Sequence, residues 1–102
     1  ISGNMNTFES IKDRRSYIFE DSDTRVLSYL ELSTLTDEEL EFARNEIYAR
    51  YGRKFGDANL QSYFDSATWY VGLTEPENFD DNILNECEKA NVQLISGFEK
   101  TE

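Results

Sequence analysis

The segment that most constrains the fold lies in the middle of the chain, at residues 40–55, and reads LEFARNEIYARYGRKF. At the 100° turn per residue of an α-helix, its apolar side chains fall on two opposite sides rather than on one. One side carries Leu40, Ala43, Ile47 and Tyr51, and the other carries Phe42 and Ala49. A helix that is apolar on two sides is expected to pack between other elements, so the segment predicts a central helix in a compact domain.

Polar side chains interrupt this pattern. Arg44 falls within the first apolar side, and Asn45 lies beside the second. Glu46 and Arg50, four residues apart, belong to a charged strip between the two sides. Asn91 interrupts the apolar stripe of the last predicted helix in the same way. Because buried polar groups need partners, we expect a structural network of Arg44, Asn45, Glu46 and Asn91, with Asn91 as the partner of Arg44 or Asn45. The alternative is a ligand or anion site built on Arg44.

Local capping signals predict where the other helices begin. They are the capping boxes Ser28–Glu31 and Thr36–Glu39 and the single N-cap residue Asp57. Gly52 is placed to end the central helix in a left-handed conformation, and a last helix is expected over residues 80–97. These elements predict a mostly α fold: a small compact bundle of a long central helix, a long C-terminal helix and two or three short helices.

Length and charge restrict the class of protein. A chain of 102 residues is the size of one domain, expected over residues 17–98, with a polar lead-in at 1–16 that could form a short helix and a tail at 99–102. The net charge of −11, from 21 acidic and 10 basic residues, disfavours binding to nucleic acid or to an anionic membrane surface. No apolar run in this fragment approaches the ~20 residues of a membrane span. The chain begins at Ile1 and is read as an excised segment, so the absence of a targeting signal carries no weight.

The residue types present argue against catalysis. There is no His, and Cys87 is the only cysteine, so the chain has no Ser-His or Cys-His nucleophile pair, no His-type zinc site and no internal disulfide. We therefore expect no catalytic residue, no metal and no cofactor. Paired carboxylates could in principle hydrolyse a glycoside, but such pairs arise by chance among 21 acidic residues, which makes a hydrolase the weaker alternative.

Binding is the more plausible activity on these residues. Aromatic side chains with a polar edge, together with arginines, suit contact with sugar rings or with another protein. The candidate ligand-binding residues are Arg44, Tyr48, Arg50, Trp69 and Tyr70. Trp69 and Tyr70 lie in a segment predicted to be irregular, where recognition groups are common. The alternative is that Trp69 fills the core of the domain.

The stretch from Asn45 to Gly52, NEIYARYG, resembles the signature of the YARHG domain family. Tyr51 stands at the position where the family has His. The resemblance extends from the residues before this stretch, Leu40 to Arg44, to Trp69-Tyr70 and to Ala90-Asn91, and covers roughly residues 17–95. A phenol keeps a ring and one hydrogen-bonding atom but does not titrate near neutral pH, so we expect Tyr51 to serve packing and hydrogen bonding.

The resemblance implies a bacterial domain that is extracellular or anchored at the cell surface. It carries over no catalytic residues. We therefore expect a non-catalytic binding or interaction module whose ligand is cell-wall glycan or another protein. The alternative is a purely structural accessory domain of a larger surface protein.

Overall fold

The structure, a computed structural model, describes residues 17–100, with Lys100 described by its backbone alone. The lead-in at residues 1–16, with the short helix expected there, lies outside the described residues. Four α-helices follow in the order α1 (Tyr29–Ser33), α2 (Asp37–Ala49), α3 (Ala58–Asp65) and α4 (Glu86–Lys100). Two 3-10 turns, Pro76–Asn78 and Asp81–Ile83, lie between α3 and α4. The expected mostly α fold class is confirmed.

The predicted helix starts are confirmed by their hydrogen bonds. At α1, Ser28 Oγ accepts from the Glu31 N–H at 3.2 Å, and the Glu31 carboxylate accepts from the Ser28 N–H at 2.9 Å. The same reciprocal pair opens α2, with distances of 3.1 and 2.9 Å between Thr36 and Glu39. Asp57 caps α3 through two backbone N–H groups, at 2.8 and 3.1 Å. Such bonds satisfy the free N–H groups of a first helical turn, so each start is fixed locally.

The last helix begins later than expected, at Glu86 rather than near residue 80. Asp80 caps only a short 3-10 turn, and Asn85 and Glu88 then make a third reciprocal cap, with both distances 2.8 Å. Ile83, expected on the apolar stripe of this helix, precedes it and is 47% exposed. At the other end the helix continues to Lys100, past the domain end expected at residue 98.

Helix α2 separates two apolar clusters, as its two-sided pattern predicts. Toward α1 and α4, the buried members are Leu27, Leu32, Leu40, Ala43, Ile47, Leu84 and Ile95. Toward α3, the buried members are Ala49, Phe55, Leu60 and Phe64, with Phe42, Tyr63, Trp69 and Tyr70 partly buried beside them. The chain leaves α2 through Gly52, whose φ of 85° is the expected left-handed conformation. Its carbonyl then accepts from the N–H groups of Leu73 and Thr74, which ties residues 72–74 to the end of α2.

Candidate functional site

Glu46 lies inside the domain rather than on a charged strip. Its side chain is 1% exposed and accepts from the backbone N–H groups of Ile18, at 2.6 Å, and Phe19, at 3.1 Å. Burial raises the pKa of this carboxyl to about 7, although the two N–H donors and Arg50 favour the charged form. The helical wheel places Glu46 between the two apolar sides and cannot show its partners, because the segment that covers it is not helical and lies 27 to 28 positions earlier in the chain.

Arg50 holds the same segment. Its guanidinium donates to Ser22 Oγ at 2.7 Å and to the Phe19 carbonyl at 2.5 Å. It also lies 3.6 Å from the Glu46 carboxylate and 5.0 Å above the centre of the Tyr17 ring. With only 13% of its side chain exposed, Arg50 is committed to contacts within the domain.

Asn91 makes three hydrogen bonds to a loop, and the expected pairing with Arg44 or Asn45 is wrong. Its side chain is fully buried, with 0% exposed. Its oxygen accepts from the Leu27 N–H at 2.8 Å. Its amide nitrogen donates to the carbonyls of Ser22 and Arg25, at 2.8 and 2.9 Å. Every hydrogen-bonding position of the carboxamide except one acceptor site is thus used on backbone atoms of residues 22–27.

Arg44 and Asn45 find other partners. Arg44 forms a two-point pair with the Glu99 carboxylate, at 2.6 and 3.2 Å, which joins α2 to the end of α4. The two side chains remain 28% and 22% exposed. Asn45 donates to the Glu41 carbonyl one turn earlier, at 2.9 Å.

Tyr51, at the position of the family's His, joins α2 to the start of α4. Its hydroxyl donates to Glu88 Oε1 at 2.6 Å, and the same oxygen also accepts from the Asn85 N–H. Burial, followed by the hydrogen bond to Glu88, raises the pKa of Tyr51 to about 12. The phenol therefore stays protonated and acts as a donor to a carboxylate that is 1% exposed.

Trp69 and Tyr70 are half-buried in the cluster beside α3. The Trp69 ring stacks on Tyr17, with centroids 4.6 Å apart and planes within 7°. The Tyr70 hydroxyl donates to the Arg53 carbonyl at 2.8 Å and accepts from Gln61 at 3.3 Å. Both aromatic side chains therefore have partners within the fold.

Tyr48 is the candidate residue that opens onto a groove. The groove has a volume of about 230 Å³. The more buried lining residues are Tyr48, Leu84 and Val92, and the exposed ones are Asp81, Asn82, Lys89 and Gln93. Among residues 17–100, none makes a hydrogen bond to the Tyr48 hydroxyl. Burial and then the charge of Asp81 raise the pKa of this phenol, and Arg44 and Arg53 oppose the shift.

The polar lining residues of the groove were not among the sequence candidates. Lys89 and Gln93 are four residues apart and thus share one face of α4, which could have been predicted from their spacing in the sequence. Asp81 and Asn82 come from a 3-10 turn that the sequence assigned to the last helix. Their approach to Tyr48 depends on the path between α3 and α4, which local patterns do not encode.

A second groove, of about 420 Å³, lies on another side of α4 and is more apolar. Its lining residues are Tyr29, Gln93, Leu94, Gly97 and Phe98. Gln93 lines both grooves. Because the second groove has few hydrogen-bonding groups, it offers little to orient a polar ligand.

Two kinds of feature are absent from the described part of the chain. Residues 17–100 contain no group of His, Cys, Asp or Glu side chains that could hold a metal ion. Over the same residues, no helix combines the length and the apolar character needed to cross a membrane.

The comparison with known families agrees with the signature. The family model of the YARHG domain matches residues 14–100. No curated protein and no solved structure matches the chain. The matched family is one of extracellular-type domains that are in general non-catalytic. The resemblance seen in residues 45–52 is thereby confirmed, and the chain belongs to the YARHG domain family.

Proposed function

We propose that this chain is a non-catalytic binding module of a bacterial protein, acting outside the cell or at its surface, and that the groove around Tyr48 contacts the ligand. The observation that carries the proposal is that Tyr48 lines a groove with exposed carboxylate, amide and ammonium groups, while its hydroxyl has no hydrogen-bond partner among residues 17–100. Small-ligand sites combine an apolar floor with a few convergent polar groups in this way. The ligand class we favour is cell-wall material, glycan or its attached peptide, ahead of another protein.

The contacts of the five candidate residues indicate which of them serve the fold and which can bind a ligand. Arg50, Trp69 and Tyr70 serve the fold in this proposal, because their polar groups or rings are engaged within the domain. Arg44 remains a secondary contact, since it is partly exposed and close enough to influence the pKa of Tyr48.

Sedimentation with purified peptidoglycan tests the proposal. We expect the 102-residue chain to co-sediment, and Tyr48→Phe to weaken binding about three- to tenfold, the effect of one lost hydrogen bond. Tyr29→Phe is the matched control, because it removes an exposed phenol from the second groove. Equal binding by the wild type and Tyr48→Phe would refute the assignment of the groove.

The second candidate function is a structural accessory domain. It is favoured by the polar groups of Glu46, Arg50 and Tyr51, all of which are engaged within the domain. Under this proposal, Arg44→Ala lowers the melting temperature and no surface substitution affects attachment to the cell wall. Loss of peptidoglycan binding in a fully folded Tyr48→Phe variant would rule out this candidate.

A further inference from the structure

Two opposite charges face the Tyr48 groove without pairing with each other. The Asp81 carboxylate comes from the 3-10 turn before α4, and the Lys89 ammonium comes from α4 itself. Both side chains are exposed. Among the residues that the structure describes, neither has an ion-pair partner within 4.0 Å. The groove therefore has a negative and a positive group, separated by more than the length of a salt bridge.

Some exposed charges on the same surface do form ion pairs. The Lys54 ammonium pairs with Glu75 at 3.0 Å, and the Arg25 guanidinium pairs with Asp21 at 2.7 Å. The charges at the groove thus stay apart although ion pairs form elsewhere on the same surface. A ligand that carries only one sign of charge would satisfy one of them and be repelled by the other. A neutral ligand would cover both without pairing either, which is unfavourable for charged groups.

We propose that the groove recognises a zwitterionic group, in which an ammonium pairs with Asp81 and a carboxylate pairs with Lys89. This inference rests on the proposed function and names its ligand class. The ligand would be an amino acid or the free end of a short peptide.

The size of the groove supports a small ligand. Its volume of about 230 Å³ is below the usual range for drug-sized ligands, ~300–1,000 Å³. The Tyr48 hydroxyl and the amides of Asn82 and Gln93 supply neutral hydrogen bonds between the charged ends.

Chemical-shift titration of the isotope-labelled chain tests the inference with three probes: glycine, diglycine and triglycine. Their ammonium-to-carboxylate spacing increases in steps, so the best binder reports the separation of Asp81 and Lys89. We expect saturable shifts centred on Tyr48, Asp81 and Lys89 with at least one probe. Acetylating the amine or amidating the carboxylate of that probe should weaken binding about tenfold, since each removes one charge-assisted hydrogen bond.

Substitutions in the groove provide the second arm. We expect Asp81→Asn and Lys89→Gln each to weaken binding of the best probe about tenfold. Asp37→Asn and Lys54→Gln change the same charges outside the groove and should leave binding of the probe unchanged. Asp81→Asn should lose preference for a free amine, and Lys89→Gln should lose preference for a free carboxylate.

The outcomes separate this inference from the proposed function. If capped and free peptides bind equally, or if a neutral oligomer of N-acetylglucosamine binds in the groove while no peptide does, the zwitterionic site is refuted and the binding module stands. If no probe binds while peptidoglycan sedimentation still depends on Tyr48, the zwitterionic site is likewise refuted and the binding module stands. If neither peptidoglycan nor any probe binds, the proposed function itself is refuted.

Discussion

Replacing Asn91 by alanine should be among the most destabilising single substitutions in this domain. Asn91 is 0% exposed, and its carboxamide bonds three backbone groups. Two of these bonds, to the Leu27 N–H and the Ser22 carbonyl, are wholly buried. A buried donor or acceptor left without a partner costs about 1–3 kcal/mol, so the two groups together cost about 4 kcal/mol. That is a large part of the ~5–15 kcal/mol stability of a typical domain.

Urea unfolding followed by circular dichroism measures this loss of free energy of unfolding. In thermal unfolding, at ~4–8 °C per kcal/mol for a domain of this size, the melting temperature should fall by about 15 °C or more. Asn78→Ala is the control, because Asn78 is exposed and makes no side-chain hydrogen bond to any residue in 17–100. A loss below about 1 kcal/mol for Asn91→Ala would refute the view that this side chain anchors the loop.

Asn91→Asp separates the hydrogen bonds from side-chain volume. The variant keeps an oxygen for the Leu27 N–H but places a second oxygen against the carbonyls of Ser22 and Arg25. A protonated carboxyl can donate to one of those carbonyls and an ionised one to neither, so its pKa in the fold should rise above the usual value. The variant should therefore be more stable at pH 4 than at pH 7, relative to the wild type. No such pH dependence would show that the loop moves away from residue 91.

Three further predictions concern single positions. Gly52→Ala should cost about 1–3 kcal/mol in thermal unfolding, because φ is 85° and a Cβ would meet a side-chain carbon at 3.0 Å, whereas Gly56→Ala, with open space, should be nearly neutral. The pKa of Glu46 is raised from 4.5 to about 7, so its contribution to stability is complete below pH 4.5 and is lost as the pH rises through 7. The unfolding free energy of the wild type should fall over this pH range, and that of Glu46→Gln should not. Tyr51→Phe should cost about 1.5–3 kcal/mol by urea unfolding, since it removes a donor to the buried Glu88 carboxylate, and an unchanged midpoint would contradict that role.

Features set by neighbouring residues could be predicted from the sequence. Capping at Ser28, Thr36 and Asp57 depends on side chains that bond N–H groups two or three residues away. The two apolar sides of α2 follow from helical geometry alone. The start of α4 was predicted wrongly because two capping residues, Asp80 and Asn85, lie five positions apart, and only packing decides which one opens the long helix.

Contacts between distant segments could not be predicted in the same way. The burial of Asn91 could be suspected because it interrupts an apolar stripe, whereas Glu46 was expected on a charged strip. Their partners could not be predicted, because these are backbone groups of a non-helical segment 27 to 69 positions away along the chain. The groove around Tyr48 is equally non-local, since Asp81 and Lys89 reach it from different elements.

Residues 18–27 are held through their main chain. Glu46, Arg50 and Asn91 bond N–H or carbonyl groups at five positions in this segment, and the one side chain in it that they bond is that of Ser22. Contacts of this kind fix the path of a segment without selecting its side chains.

The segment should therefore tolerate change unevenly in a substitution scan. An exposed position such as Val26, at 56%, should accept most residue types. Proline at Ile18, Phe19 or Leu27 should not be accepted, because each of these residues donates its backbone N–H to a buried side chain and proline has no N–H. Apart from the buried Ser22 and Leu27, natural variation in this part of the chain would then follow the requirement for a backbone donor more closely than any requirement for size or polarity.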